Sequence, residues 1–375
     1  MEMESIERVL VTGGAGFIGS HTVDLLVEKG YEVRVLDNLE PQVHFNRKPD
    51  YLNSEAEYVF GDIVNREDWL KALRGVDAVI HLAAIVGVGQ SMYQPVRYLT
   101  TNSIGTANMY EVLLEKPEIR KRLRKVVVAS SKSIYGEGAY VCKAHGLVYP
   151  GLRKREQLER GDWEVHCPFC DEYVKPVGIT EEKPVQNLSI YALSKYDTER
   201  IAVNFGFALK IPTVVLRYFN VYGPRQSLNN PYTGVIAIFS SRIKNNNPPI
   251  IFEDGRQLRD FIYVEDVARA NLLALESEGE GVYNVGTGKA TSILEVANTL
   301  IELFDSKVEP KITGEFRVGD NRHDFADISK IKRELKFEPR YSLKQGLEKF
   351  VEWGKTREAI DMFEKAEEER KKYLG

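Results

Sequence analysis

Apolar residues along this chain fall into two patterns that alternate. "RVLVT" (8–12) is a short aliphatic, β-branched run, and apolar positions at helical spacing follow it over 17–29. "YEVRVLD" (31–37), "VDAVIHLAA" (76–84), "KVVVASS" (125–131) and "TVVLRY" (213–218) repeat the first pattern. Stretches near 66–74, 95–115 and 189–209 repeat the second. Strands this continuously apolar are buried on both faces, which a parallel sheet covered by helices provides. The expectation is therefore an α/β fold, a Rossmann-type doubly wound parallel sheet over 1–221. After 222 the pattern loosens and gains Pro, Asn and Gly, as in "NNNPPI", which predicts a smaller α/β lobe over 222–375. The stretch 260–284, opening with "DFIYVEDVARANLLAL", can return to the first domain. The tail from 355, "TREAIDMFEKAEEERKKYLG", reads as a charged helix with a solvated face. No internal repeat is present.

Composition narrows the classes. The 375 residues are 43% hydrophobic and 28% charged, with a net charge of −4. That balance is ordinary for a globular protein and supplies no basic field for nucleic acid or an anionic membrane. "MEMESIERVL" is acidic and runs straight into a strand, so no leader is expected, and no apolar run reaches 18 residues. Three cysteines are too few for a disulfide framework, which favours a reducing, cytoplasmic setting.

"VTGGAGFIGS" (11–20) places Gly13, Gly16 and Gly19 between a strand and a helix. There the backbone can approach a pyrophosphate and the helix N-terminus can face its charge. Asp37 ends the second strand, 18 residues past Gly19. A carboxylate at that place takes both ribose hydroxyls of an adenosine and repels a 2′-phosphate, so NAD is expected over NADP. "GDI" (61–63) and "HLAA" (81–84) end further strands along the same edge. "YALSK" puts Tyr191 and Lys195 four apart on one face at the start of a helix. A phenol is a weak base at neutral pH, and a neighbouring ammonium and a bound nicotinamide cation both favour its anion.

These motifs, with "DNL", "NSIGT", "ASS..IYG", "LRYFNVYGPRQ", "RDFIYVEDVA", "YNVGTG" and "RVGDNRHDFADISK", run in one order along nearly the whole length. In this the chain resembles the extended short-chain dehydrogenase/reductases, in their NAD-dependent nucleotide-sugar epimerase/dehydratase group. The resemblance implies a hydride shuttle. Tyr191 would take the proton from a sugar hydroxyl, Ser131 would hydrogen-bond the same oxygen, and Lys195 would hold the ribose and lower the tyrosine pKa. The resemblance also carries Gly13, Gly16, Phe17, Ile18, Gly19, Asp37, Asn38, Asp62, Ile63, Leu82, Ala83, Ala84, Asn102 and Phe219 to the cofactor. Asn220, Arg259, Arg317 and Asp320, with Arg322 an alternative, would grip the nucleotide diphosphate or ribose. A homodimer through the helices near 95–115 and 189–209 is implied as well.

In the family's dehydratases and decarboxylases a carboxylate precedes the "YG" pair, whereas here the segment reads Ser131-Lys132-Ser133-Ile134-Tyr135. Elimination lacks its acid, so epimerisation at C4 through a 4-keto sugar is expected. Lys132, unusual for the family, is read as facing solvent, with contact to the substrate the alternative. The sugar stays open between the UDP-glucose/galactose pair and dTDP-L-rhamnose. "VGVGQSMY", "ASSKSIYGEG" and the cysteine-bearing insert are similar to the 4-epimerases of the latter. Other oxidoreductases of the group and an NAD-sensing regulator are the remaining alternatives.

From Ser131 to Tyr191 the chain takes 60 residues, far more than the family's usual span, and the surplus falls at about 139–178. All three cysteines lie in it. Cys142-x-x-His145 and Cys167-x-x-Cys170 form a zinc-ribbon pattern of four N/S ligands, a closed and hence structural site, with His166 the alternative to His145. The run "GLRKREQLER" (151–160) is interleaved with glutamates and lacks aromatic platforms, so nucleic acid is not the expected partner.

Overall fold

The computed structural model describes residues 5–374. Residues 1–4, part of the acidic stretch behind the expectation of no leader, lie outside the described residues. Seven parallel strands form the main sheet: β1 Arg8–Thr12, β2 Glu32–Asp37, β3 Glu57–Phe60, β4 Ala78–His81, β5 Lys125–Ser131, β6 Thr213–Tyr218 and β7 Gly281–Val285. Their order is β7-β6-β5-β4-β1-β2-β3. Side chains alternate across each strand. Val9, Val11, Val35 and Ile80 therefore pack on one face, and Leu10, Leu36, Val79 and Val126 on the other. Burial on both faces is why these strands read as unbroken apolar runs.

Helices α1 Phe17–Glu28 and α2 Arg66–Leu73, a helical run over 95–115 with a π turn at Leu99–Ile104, and α3 Ile190–Leu209 cover the sheet. Helix α4, Val264–Glu276, packs beside α1, where Asn271 donates to the Thr22 hydroxyl at 3.0 Å. The chain then enters β7, so the stretch after 260 contributes an edge strand to the first sheet. Strand order reverses at β1, which lies between β2 and β4, and a crevice opens at their carboxyl ends.

A second apolar cluster, including Tyr222, Phe239, Ile251, Leu300, Leu347 and Phe350, forms the core of the later lobe around helices such as α5, Leu343–Lys355. Its strands are pairs of two or three residues. Within 139–178, strands Ala139–Cys142, Gly146–Val148 and Lys175–Val177 make a small antiparallel sheet of their own.

The charged tail is not a solvated helix running from 355. Helix α5 ends at Lys355, and a separate helix α6, Phe363–Leu374, lies against the crevice. Arg242 holds α6 through the face of Phe363 at 4.7 Å and the Glu364 carboxylate at 2.9 Å. Tyr232 donates to Glu369, and Tyr93 reaches the same carboxylate at 3.3 Å. The polar face that suggests solvent is used against polar groups of both lobes.

Candidate active site

One cavity of about 740 Å³ follows the crevice. Its floor is the β1–α1 turn. Gly13 has φ +69°, and a Cβ at Gly19 would stand 2.0 Å from the Gly13 carbonyl, so only glycine fits this crossing. The N-terminus of α1 begins after Gly16 with no side-chain cap, leaving its N–H groups available to an anion. Asp37 stands beside it, its carboxylate accepting from Ala15 N at 2.9 Å and Leu39 N at 2.8 Å. Burial raises its pKa. Phe17, Ile18, Asn38, Asp62, Ile63, Leu82, Ala83, Ala84 and Phe219 line the same space. Asn102 does not. Its amide is tied to Ile85 at 2.9 and 3.1 Å and to Ser194 at 2.9 Å, bracing a loop against α3.

Ser131, Tyr191 and Lys195 meet at the centre. Ser189 caps α3 by accepting from Ala192 N at 3.1 Å, so Tyr191 and Lys195 fall in the first two turns on one face. Ser131 ends β5. Burial holds Lys195 down to about 8 and raises Tyr191, while a hydrogen bond with Ser131 pulls the phenol the other way. The phenol of the protein alone is thus harder to ionise than a free one. Desolvation outweighs the Ser131 hydrogen bond here.

At the far end Asn220, Arg259, Arg317 and Asp320 line the cavity. Arg259 donates to the carbonyls of Leu258, Asn321 and Arg322 at 2.8–2.9 Å and pairs through Nε with Asp324 at 3.2 Å. Arg317 pairs with Glu367 of α6 and lies 4.1 Å over the Phe252 ring. Several buried polar atoms here lack a protein partner: Asn220 Oδ1, Arg317 Nε, Gln226 Oε1 and Gln257 Oε1. Unmet donors and acceptors around one space fit a polar ligand. Arg322 is not among the lining residues. Its side chain is fully buried among Glu164, Glu253 and Asp254.

Lys132 does not face solvent. In the turn Lys132–Tyr135 after β5 its side chain is 19% exposed, lines the cavity and pairs with Asp324 at 2.6 Å. Asp324 already serves Arg259 and Asn321, so the lysine is drawn inward to a buried carboxylate. The sequence reading also missed Gln226, Gln257 and the α6 residues Phe363, Ala366, Glu367 and Arg370. Gln226 ends the quoted "LRYFNVYGPRQ", and the apolar positions of α6 are too few to announce a covered face.

In the insert, Cys142, His145, Cys167 and Cys170 offer ligand atoms all within 4.8 Å of one another. Cys142 Sγ lies 3.5 Å from His145 Nδ1 and 3.7 Å from Cys170 Sγ, and Cys167 Sγ lies 3.5 Å from His145 Nδ1. A tetrahedron with metal–sulfur bonds of ~2.3 Å has edges of about 3.8 Å, so the donor set fits one ion. His166 faces the carboxylates of Asp162, at 3.0 Å, and Asp171, at 3.3 Å, instead. The run 151–160 is not a free basic face, because Arg153 is buried against Glu253.

Fold and lining together define a dinucleotide-dependent enzyme with a second, polar ligand. The chain belongs to the NAD dependent epimerase/dehydratase family, whose sequence profile matches residues 9–148 and 170–286 and leaves out the middle of the insert. It is 36% identical over 353 residues to dTDP-L-rhamnose 4-epimerase of Burkholderia thailandensis, covering 92% of this chain and 94% of that protein. Among solved structures, UDP-glucose 4-epimerase of Thermotoga maritima with UDP-glucose superposes at TM-score 0.76, with 34% identity over 93% of this chain and 98% of that one. The Thermus thermophilus UDP-glucose 4-epimerase complex with NAD gives 0.73, with 30% identity over 94% and 100%.

Proposed function

We propose that the protein epimerises C4 of a nucleoside-diphosphate sugar with tightly held NAD. The observation that carries this is the single cavity joining a glycine turn and Asp37 to Ser131, Tyr191 and Lys195, and these to Asn220, Arg259, Arg317 and Asp320. The glycine turn, Asp37, Asp62, Phe219 and Lys195 hold the cofactor, as supported by the NAD complex of the Thermus relative. NAD when bound supplies the hydride acceptor and donor, and a positive charge beside the phenol. Tyr191, ionised with that charge present, takes the C4 hydroxyl proton. Ser131 holds the same oxygen as it becomes a carbonyl. The 4-keto sugar turns, and Tyr191 returns the proton once the opposite face has been reduced. Arg259 and Arg317 hold the diphosphate throughout, as guanidinium groups suit phosphate. No carboxylate lies in Ser131–Tyr135 to catalyse elimination.

The first reading of the sugar is the UDP-glucose/galactose pair. The second is dTDP-L-rhamnose, favoured by the Burkholderia relative. Proton NMR of the purified protein with UDP-galactose, UDP-glucose, UDP-glucuronate and dTDP-L-rhamnose, without added cofactor, tests both. Conversion of one to its C4 epimer supports the proposal, and no conversion even with NAD supplied overturns it.

The division into a cofactor lobe, 1–221, and a substrate lobe, 222–375, belongs to the same proposal. The cluster around Phe239, Leu300 and Phe350 supports a separate substrate lobe, while residues between Ile262 and Val285 and between Ala326 and Phe337 pack into the core of the cofactor lobe. A structural zinc ion in the insert is supported by the ligand spacing. Three free thiols favour a cytoplasmic setting, and among the described residues no helix is long and apolar enough to cross a membrane. Val96, Ile104 and Phe207 are 75, 52 and 90% exposed on the two helices expected to pair, which supports a homodimer. A monomer at micromolar concentration in analytical ultracentrifugation would refute that assembly.

A further inference from the structure

The insert's outward bonds converge on one stretch of the later lobe. Arg153, 6% exposed, donates to the Glu253 carboxylate at 2.9 and 2.7 Å and to the Asp320 carbonyl at 3.0 Å. Arg322 takes Glu164 of the insert at 2.6 and 3.2 Å, and Glu253 and Asp254 on its other side at 2.7–3.0 Å. The second oxygen of Glu164 meets His323 Nε2 at 3.1 Å. Glu137, buried just before the insert, accepts from the backbone N–H groups of Arg322 at 2.8 Å and His323 at 3.2 Å, and from the Tyr140 hydroxyl at 2.6 Å. Asp320, Arg322 and His323 are thus held from the insert side.

That stretch has little backbone structure of its own, and its other holds are side chains: Arg259 on the Asn321 and Arg322 carbonyls, and Arg317 against Glu367 and the Phe252 ring. Between the two-residue strands Lys311–Ile312 and His323–Asp324 there is no regular element. Beyond Glu315, its one backbone-to-backbone bond before the second strand is the turn from Asp320 N to the Arg317 carbonyl. Yet Arg317, Asp320 and Asn321 of this stretch line the cavity. The insert itself has a small core of Tyr140, Cys142, Val148, Val165, Cys167 and Val174, in which two of the six are members of the metal-ligand set. Its shape therefore depends on the cluster, and the Asp320–His323 end of the stretch is held from the insert side.

We propose that Arg153, Glu164 and Arg322 are positioning residues for the nucleoside diphosphate. The insert, drawn together at Cys142, His145, Cys167 and Cys170, holds residues 316–324 where Arg317 and Asp320 can grip that ligand. The proposal rests on reading the cavity as a nucleotide-sugar site. Loss of the metal or of either arginine lets the stretch drift, and a displaced binding group loses much of its hold on the ligand. The cofactor end, built on β1, β2 and α1, does not share this dependence.

The test titrates UDP and dTDP by calorimetry into the full-length, NAD-loaded protein and into Arg153→Ala, Glu164→Gln and Cys170→Ser, with NAD and zinc content measured in parallel. Arg153→Ala and Cys170→Ser weaken binding of the preferred nucleotide about tenfold or more, and Glu164→Gln, at a half-exposed site, weakens it severalfold. NAD content stays at the wild-type level in all three, zinc is lost only from Cys170→Ser, and Arg153→Lys regains part of the affinity. Unchanged nucleotide affinity in folded Arg153→Ala, or in Cys170→Ser stripped of metal, overturns the proposal. Parallel loss of NAD overturns it too, since that signals general destabilisation. If Arg153→Ala does not fold, Glu164→Gln decides by the same criterion. Wild-type protein that binds neither nucleotide brings down the underlying reading, a result distinct from any variant effect.

Discussion

The inner wall of the cavity is made of strand ends and helix starts. Gly13, Asp37 and Ser131 each sit at or just past the end of a sheet strand, and Tyr191 opens a helix capped by its own Ser189. The outer wall is made of segments brought together from across the chain: Arg153 with Glu253, Arg322 with Glu164, Lys132 with Asp324, Arg317 with Glu367. Backbone register positions the first wall, and buried or half-buried charges position the second. The inner wall should accordingly lose chemistry when one side chain changes and keep its shape. The outer wall should lose affinity when one charge changes, because its shape depends on the pairing.

The largest effect is expected on the inner wall. Tyr191→Phe should lower turnover by roughly 10² to 10⁴, the usual share of a general base, with NAD content unchanged by absorbance of the denatured supernatant. Full activity in the variant would mean that another group takes the proton. On the outer wall, Cys170→Ser should lose one metal ion per chain by elemental analysis and raise KM about tenfold, while kcat falls much less. Equal loss in both parameters would erase the proposed contrast between the walls. Lys132→Met removes one of three partners of the Asp324 carboxylate. A buried charged hydrogen bond is worth ~1.5–3 kcal/mol, so KM should rise at least tenfold in steady-state assays.

Smaller effects sharpen the comparison. Glu367→Gln frees Arg317 from a partly exposed ion pair worth ~0.2–1 kcal/mol, and should lower KM up to about fivefold. A rise instead would mean that Glu367 itself contacts the ligand. The last test is pH. Lys195 has a folded pKa pushed down to about 8 from 10.5. Below pH 8 the ammonium is charged in both folded and unfolded chains, and burial penalises the folded one fully. As pH rises from 8 to 10.5 the folded form has lost its proton while the unfolded form keeps it, so the penalty fades. The stability advantage of Lys195→Met over the native chain, followed by chemical denaturation, should therefore shrink across that window. A constant advantage would show that burial of the ammonium is not the cause.

Much of the inner wall was legible because its signals are local. A glycine trio after an apolar run, a carboxylate at the next strand end and Tyr-x-x-x-Lys at a helix start each fit within a few residues. Their common edge follows from parallel strand order. Asn102 stands within an equally local motif and still turned aside, because Ile85 and Ser194 claim its amide. The meeting of Cys142, His145, Cys167 and Cys170 was legible for a similar reason: two x-x spaced pairs form two tight turns.

What the sequence by itself determined is the sheet, the glycine turn, the Tyr191–Lys195 face and the composition of the Cys/His cluster. These follow from periodicity and short spacing, which the backbone enforces. Tertiary structure alone decided that Lys132 points inward, that Arg322 supports the site without lining it, and that the charged tail covers the cavity. Each of these depends on which opposite charge lies within reach. Partners 192, 158 and 50 residues away, at Asp324, Glu164 and Glu367, are brought there only by the folded chain.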